Sequence, residues 1–481
     1  MEARNLLSAH THPTIVDSEI QRECQAGRLL GPFQERPLPN LKCSGVGVVP
    51  KKNGKWRMIH HLSAPLGLSV NDHIPKEPYS LQYSSVDDAV HLLCSLGKGA
   101  RMAKVDLKSA FRIIPVRKQD WELLGIHWRN QYYVDTCLPF GLRSAPYLFN
   151  QFADALEWIL RNNYSLQWVI HYLDDYLILG PPENNLCRQF LQDFLRVCSL
   201  LGIPVATEKV EGPLTILTFL GLELDSVTQQ IRLTQDRLAE ILTELGKWQR
   251  RKKATKRELL SLIGKLAFAA RAVPAGRLFL RRLIQLSTKV DRLHHHVRLN
   301  QDAKLDIAWW QSFLPSWNGK AFFLEQNTTA ASDLSLYTDA SGTHGCGAYF
   351  KGAWFHYSWQ PHQQLSPTTS IQWQELFAIV AAALTWGNHW LRKRICFYCD
   401  NQAIVQAWEG KSSKHPKLTS LMRLLFLTAA QNNFTVKLKH VPGKSNELAD
   451  ALSRKQFNRF FSLAPQANRI PTPTPGILRQ L

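Results

Sequence analysis

Long apolar runs are missing from this chain. No stretch of about 18 consecutive apolar residues occurs among its 481, which excludes a membrane-spanning helix. The opening residues, MEARNLLSAHTHPT, have no continuous apolar core, so they do not read as a secretory signal. Cysteine is sparse: nine residues, scattered, with no paired metal-ligand array. The one CxxC, Cys396 and Cys399, has no partner CxxC and lies inside an apparent strand. The thiols therefore read as reduced, in an intracellular compartment such as cytoplasm or nucleus. The three consecutive histidines at 294–296 cannot all face one ion on a regular helix. Acidic residues are also short in supply. The 38 Asp+Glu stand against 58 Lys+Arg, a net charge of +20. Such an excess implies a polyanionic partner, most simply nucleic acid. It is concentrated: residues 244–298 hold 15 Lys/Arg and 3 Asp/Glu, including RRKK at 250–253.

The length suffices for roughly three or four domains. The stretch that organises the first of them is HYLDDYLILG, 171–180. Apolar runs flank two adjacent carboxylates, Asp174 and Asp175, in the pattern of two strands joined by a tight turn. Bare acids there are costly unless neutralised, and paired carboxylates suit Mg²⁺ bound together with substrate phosphates. Upstream, GVGVVPKKNGKWRMIHHL (45–62) reads as a hairpin whose turn carries Lys51, Lys52 and Lys55, with Arg57 just after it. Such a tip could supply charge-assisted hydrogen bonds to a triphosphate. Residues 82–99 read as a helix, and Val105 and Asp106 end a short strand. Residues 138–157 are a Gly/Pro loop leading into a helix, 186–201 a further helix and 214–224 a strand pair. If the strand of Asp106 neighbours the hairpin, three carboxylates converge. They could then hold two divalent ions about 3.5–4 Å apart for phosphoryl transfer. Phe111 would lie near an incoming sugar, where a bulky ring excludes a 2′-hydroxyl; plain core packing is its alternative.

Residues 234–313 are basic and helical in pattern, with Trp309, Trp310 and Trp317 near their end, and 325–333 reads as a linker. A second α/β pattern starts at Leu334. Strands end at Asp339 and Asp400, and helices carry Glu375 (371–387) and Asp450 (NELADALSR). These four acids could hold two metals for phosphodiester hydrolysis. His440, at the end of a strand, could shuttle a proton. Residues 457–481, ending in RIPTPTPG, read as a Pro/Thr-rich tail or linker.

The motifs KVDLKSAF, LPFGLRSAP, YLDD and FLGLEL, in that order, resemble a retroelement reverse transcriptase. YTDASG, QELFAI, CDNQA and HVPGKSNELADALSR resemble a ribonuclease H domain. The wording LPFGLRSAPYLFN, the Trp pair at 309–310 and the PTPTP exit look most like DIRS-like (tyrosine-recombinase) retrotransposons, with gypsy-type LTR elements next. The resemblance implies an α+β/α/β multidomain chain: a right-hand polymerase of fingers, palm and thumb followed by a ribonuclease H-like fold. The expected parts are an N-terminal lead-in at 1–40, fingers and palm at 41–230, a basic helical thumb/connection at 231–332, a ribonuclease H-like domain at 333–456 and the tail at 457–481. It implies an RNA-directed DNA polymerase (a nucleotidyltransferase) and an RNA–DNA hybrid endonuclease. Each site would use two Mg²⁺, or Mn²⁺, ions. The partners would be an RNA template, a DNA primer, the RNA–DNA hybrid and dNTPs, with no membrane. The polymerase acids carry over as Asp106, Asp174 and Asp175, and the sugar gate as Phe111. Lys51 or Lys52, with Arg57, match the positions that hold the triphosphate. Phe140, where retroviral enzymes use Gln, and Gly141 lie under the template and nucleotide. Lys209 resembles a palm lysine assisting pyrophosphate departure, and 219–225 resemble the primer grip. The nuclease acids are Asp339, Glu375, Asp400 and Asp450, with His440 matched by spacing. The tyrosine recombinase expected of a DIRS-like element has no pattern among these residues, nor does a protease, an integrase or a chromodomain. A non-catalytic nucleic-acid-binding relic and an RNA-dependent RNA polymerase are the alternatives; Phe111 and the ribonuclease H motifs disfavour the latter.

Overall fold

The computed structural model describes residues 3–50, 56–273, 276–317, 321–322, 335–367, 369–390, 393–410, 413, 415–432, 434–442 and 446–481. Lys51, Lys52, Lys55 and the linker at 325–333 lie outside them. The chain divides into two compact units, Met1–Gln229 and Gln230–Leu481.

The first unit opens with α1 (Leu7–Thr11), α2 (Pro13–Gln25) and β1 (Leu29–Phe33). Weak periodicity predicts only a lead-in here, and the structure corrects that. Val16 and Ile20 of α2 are buried in a core with Val46, Val48, Ile126 and Trp128. The hairpin expected at 45–62 is β2 (Gly45–Pro50) and β3 (Trp56–His61), paired antiparallel. Next comes α3 (Val86–Leu96), which starts where Ser85 and Asp88 form a reciprocal capping box. Then come β4 (Arg101–Asp106), β5 (Gly125–Trp128) and β6 (Gln131–Asp135), with β6 between β1 and β5 in a small antiparallel sheet. The helix after the Gly/Pro loop is α4 (Ala145–Asn163), with proline in its first turn, where no N–H is missed.

The stretch 171–180 forms the hairpin its pattern predicts. β7 (Val169–Tyr172) and β8 (Asp175–Gly180) are followed by α5 (Leu186–Leu200) and by β9 (Glu211–Leu214). The strand order is β7-β8-β4-β9, every neighbouring pair antiparallel. Ala103, Val105, Tyr176 and Ile178 turn to Phe149, Ala153, Phe190 and Phe194 of α4 and α5, forming one buried core. Alternation along each strand thus gives one side to the helices and leaves Asp106 at the strand end. β10 (Ile216–Phe219) and β11 (Leu222–Asp225) are the strand pair expected at 214–224.

The second unit begins with β12 (Gln230–Leu233), α6 (Gln235–Arg250), β13 (Lys253–Thr255) and α7 (Lys256–Ala269). It continues with α8 (Arg281–Ser287), β14 (His296–Arg298), α9 (Gln301–Trp317) and β15 (Ala321–Phe322), which pairs with β12. The pattern at 234–313 predicts helices alone, yet β13 and β14 pair antiparallel, Lys253 opposite Arg298 and Thr255 opposite His296. The RRKK and HHH tracts therefore run into one two-stranded ribbon, which single-segment periodicity cannot reveal.

A five-stranded sheet follows: β16 (Ser335–Ser341), β17 (Gly345–Phe350), β18 (Ala353–Ser358), α10 (Ile371–Trp386), β19 (Arg394–Cys399), α11 (Gln402–Glu409), α12 (Pro416–Gln431), β20 (Thr435–His440) and α13 (Glu447–Ser453). Its order is β18-β17-β16-β19-β20, parallel at β16–β19 and β19–β20 and antiparallel elsewhere. α10 is apolar on nearly every side and is buried against the sheet and α12.

The tail is not a loose linker. α14 (Phe457–Leu463) buries Phe460 against Trp354 and Leu452, joined by Ala464 and Ala467. The chain then runs beside the edge strand β18: Asn468 N donates to Gly352 O (2.8 Å) and Thr472 N to Trp354 O (2.7 Å). A proline-rich segment here covers an edge without offering a new row of donors. No helix among the described residues is long and apolar enough to cross a membrane.

Candidate active sites

In the first unit the register places Asp106 directly opposite Asp175 across the β4–β8 ladder. Asp174 lies in the two-residue turn, and the turn's Leu173 holds φ +53°. A two-residue hairpin demands positive φ, and a leucine there is strained, as functional turns often are. The turn is anchored by Leu107 N donating to Asp174 O at 3.0 Å. The three predicted carboxylates thus converge. Burial pushes Asp175 up to about 6, with Asp174 and Asp106 adding repulsion. Burial and Asp106 also raise Asp174, against the pull of Lys209 and Arg57. Lys209 Nζ sits 2.9 Å from Asp106 Oδ1 and offsets part of the charge. The acids fit a divalent cation, since one would offset the burial and the repulsion that together raise two of them.

Phe111 follows two residues with positive φ, Ser109 and Ala110. Its ring centroid is 5.3 Å from that of Phe140 and 5.5 Å from that of Phe149. The Arg57 guanidinium lies over Phe140 at 4.9 Å. Arg57, Phe140 and Phe111 therefore form one row of contacts, the two rings tilted by 49°. Gly141 has φ +111°, and a Cβ there would lie 2.3 Å from His60 O, so no other residue fits. Sequence reasoning missed Asn71. It is buried, donates to Gly141 O at 2.8 Å and accepts from Arg143 N at 2.8 Å, fixing the LPFGLR loop. It also missed His171 of β7, buried, with Nδ1 2.7 Å from Glu157 Oε2 and its ring stacked on Tyr176, which ties the hairpin to α4. Lone polar residues give no sequence signal of such partners.

In the second unit Asp339 lies on β16, Asp400 just beyond β19 and Glu375 in the second turn of α10. Burial pushes Asp339 up to about 6, reinforced by Asp400 and Asp450 and opposed by a 2.5 Å hydrogen bond from Ser453 Oγ to its Oδ2. Glu375 is raised well above the usual carboxylate range by burial, then by Asp339 and Asp400. Its Oε2 is buried without a hydrogen-bond partner, an orphan acceptor that a cation would satisfy. Asp450 stands apart from this cluster's tightest set. Its carboxylate accepts from Arg454 Nε (2.6 Å) and Arg459 Nη1 (2.9 Å). His440 ends β20, exposed, with Nε2 3.1 Å from Asp400 O. Asn446 Nδ2 donates to Thr338 O at 2.9 Å and ties the start of α13 to β16. Ser453, Arg454 and Asn446 flank the predicted acid, but only the fold reveals their partners.

Residues 49–224 match the family described as reverse transcriptase (RNA-dependent DNA polymerase), and 356–456 match the family described as reverse transcriptase-like. The Tf2-3 transposon polyprotein of Schizosaccharomyces pombe (strain 972) is 22% identical over 430 residues, 84% of this chain and 28% of that protein. The Tf2-4 polyprotein of the same strain matches to the same extent. This chain therefore spans less than a third of the curated relatives it matches. The foamy viral protease–reverse transcriptase solved with dsDNA is similar in fold, with a TM-score of 0.52 and 18% identity, covering 89% of this chain and 82% of that one.

Proposed function

From a chain that carries a reverse transcriptase domain and a ribonuclease H-like domain of the retrotransposon-polyprotein kind, we propose an RNA-directed DNA polymerase that also cleaves the RNA strand of RNA–DNA hybrids. The observation that carries this reading is the double set of converging, partly uncompensated carboxylates, one per domain, each with a carboxyl raised by burial and further by its acidic neighbours. In the first set Asp106, Asp174 and Asp175 would hold Mg²⁺ or Mn²⁺, two ions per site, and in the second Asp339, Glu375, Asp400 and Asp450. When bound, such ions supply Lewis-acid stabilisation of the attacking and leaving oxygens.

The chain's own groups do the rest. Phe111 and Phe140 form the apolar wall against which a deoxyribose packs, and a 2′-hydroxyl would be buried there without a partner. Arg57 draws the triphosphate, with Lys51 or Lys52 assisting. Lys209, whose amine is raised above its usual value by the hydrogen bond to Asp106, can give its proton to departing pyrophosphate once that contact is released. His440 is placed beside Asp400 to carry a proton in the hydrolytic site. Residues 41–230 act as fingers and palm, 231–332 as thumb and connection, and 333–456 as the nuclease. The +20 charge grips template, primer and hybrid, which makes binding salt-sensitive. A DIRS-like origin rests on the LPFGLRSAPYLFN wording; the gypsy-type alternative fits the Tf2 relatives.

The deciding experiment is primer extension on a labelled RNA template with dNTPs and Mg²⁺. Wild type is run beside Asp175→Asn and Glu375→Gln. Extension is lost only in the first variant and RNA cleavage only in the second. A wild type that binds hybrid but does neither overturns the reading.

A further inference from the structure

Cys399 closes β19, fully buried, and its neighbour in the CxxC, Cys396, lies three residues back on the same strand. Odd spacing on a strand sends the two thiols to opposite faces, so they are not a pair. Cys399 has other company. Its Sγ and the nearest carboxylate oxygens of Glu375 and Asp400 all lie within 4.8 Å of one another, the only such grouping among the described residues. Glu375 is 5% exposed and its Oε2 has no hydrogen-bond partner. Asp400 is exposed and leaves the group open to solvent. A hard cation has no use for the sulfur, whereas a borderline or soft one prefers it. A tetrahedral ion with one sulfur and two carboxylate ligands sets its ligand atoms roughly 3.3–3.5 Å apart. The group thus needs to draw in by about an ångström, and water can complete the fourth position.

We propose that Glu375, Cys399 and Asp400 form a site for a thiophilic divalent cation of the Zn²⁺ class, and that its occupancy withdraws two acids from the hard cation and arrests hybrid cleavage. On binding, the S–H bond breaks, the sulfur–metal bond forms and the proton passes to solvent, with no change of oxidation state. The binding stands on geometry alone; only the arrest rests on the nuclease reading above.

The full-length chain is titrated with Co²⁺, whose thiolate complexes give a near-ultraviolet charge-transfer band. Wild type shows the band at one equivalent, C399A and C399S lose it, and C346A, whose buried thiol lies outside the group, keeps it. No band in wild type, or a band that survives in C399S, overturns the site. C399S differs only by oxygen for sulfur, so it serves if C399A does not fold. Hybrid cleavage at fixed Mg²⁺ is then titrated with Zn²⁺, each protein normalised to its own rate. The half-inhibiting Zn²⁺ concentration rises at least about tenfold in C399S, and an unchanged value overturns the arrest. If wild type cleaves no hybrid, the nuclease reading fails, while the Co²⁺ band still decides the site.

Discussion

Lys209 Nζ and Asp106 Oδ1 stand 2.9 Å apart, so a lysine ammonium already occupies part of the charge that the acids Asp106, Asp174 and Asp175 present. The contact raises the Lys209 amine and, with Arg57, pulls Asp174 down against burial and repulsion. Lys209→Ala should therefore act in two opposite ways. The acids lose a competitor, so half-saturation by Mg²⁺ in primer extension shifts to lower concentration. The proton donor to pyrophosphate is lost, so the extension rate falls by about 10²-fold. Extension rates across a Mg²⁺ series check both; half-saturation moving upward would contradict the competition.

Phe111 has contacts on two sides, Phe140 and Phe149, so its ring is both wall and packing. Phe111→Ala should admit rNTPs, lowering the dNTP/rNTP preference by about 10- to 200-fold. It should also lower the melting temperature, because the ring sits at the rim of the core that includes Phe149. Phe140→Leu keeps an apolar side chain but removes the ring under Arg57 and should relax sugar choice less. Incorporation of matched dNTP and rNTP on one RNA template measures this. Unchanged discrimination in Phe111→Ala would leave only the packing role.

Glu23 of α2 joins Arg28 and Arg112 in a network that also holds Asp135. Burial raises Glu23, but the hydrogen bond from Arg28 and the charges of Arg112 and Arg28 outweigh it and bring it to about 2. A depressed carboxyl contributes stability in full above its unfolded value of 4.5 and loses it as pH falls toward 2. Asp135, raised to about 6 mainly by burial and in part by Glu23, contributes with the opposite sign, and that contribution shrinks when Glu23 is replaced. Glu23→Gln should be less stable than wild type at neutral pH. Its urea midpoint should also fall less between pH 5 and pH 3. Equal falls would mean that Glu23 carries no linkage.

What the sequence disclosed follows from range. The hairpin at Asp174–Asp175, the helix of Glu375 and the strand ending at Asp106 are written in local periodicity and in short motifs, and they stand where the pattern puts them; the strand before Asp400 stops one residue short of it, and that of Asp339 runs on to Ser341. Pairings between distant segments left no local trace. β1 finds β6 about a hundred residues on, and β13 finds β14 across two helices. The tail looked unstructured because Pro and Thr dominate its end. Its anchors are instead Phe460 and backbone bonds to β18, which composition does not register. Within the sites the acids were legible and their partners were not. Asn71, His171 and Ser453 are ordinary polar residues until the fold supplies the groups they bind. A CxxC without a partner CxxC gives no sign of Glu375, which the helix α10 brings to Cys399.

Arg423 of α12 and Asp306 of α9 form an ion pair in the second unit: Nη2 donates to Oδ2 at 3.0 Å, and Nη1 lies 2.8 Å from Oδ1. Asp306 is 1% exposed, and burial pushes it up to about 6 despite Arg423 and the more distant Arg282. Arg423 also caps the Phe279 ring at 4.8 Å, and that ring stacks on Trp309 at 3.4 Å. Removing one partner of a buried pair leaves an uncompensated charge, which typically costs about 3–5 kcal/mol. Arg423→Met keeps most of the volume over Phe279 but strands Asp306 with only Arg282, at 3.5 Å. It should lower the stability of the second unit by an amount near the lower end of that range. Asp306→Asn in the Arg423→Met background removes the stranded charge and should recover part of the loss, so the double-mutant cycle in thermal denaturation shows a coupling of about 1–3 kcal/mol. Single losses that simply add would mean that the two residues pack independently.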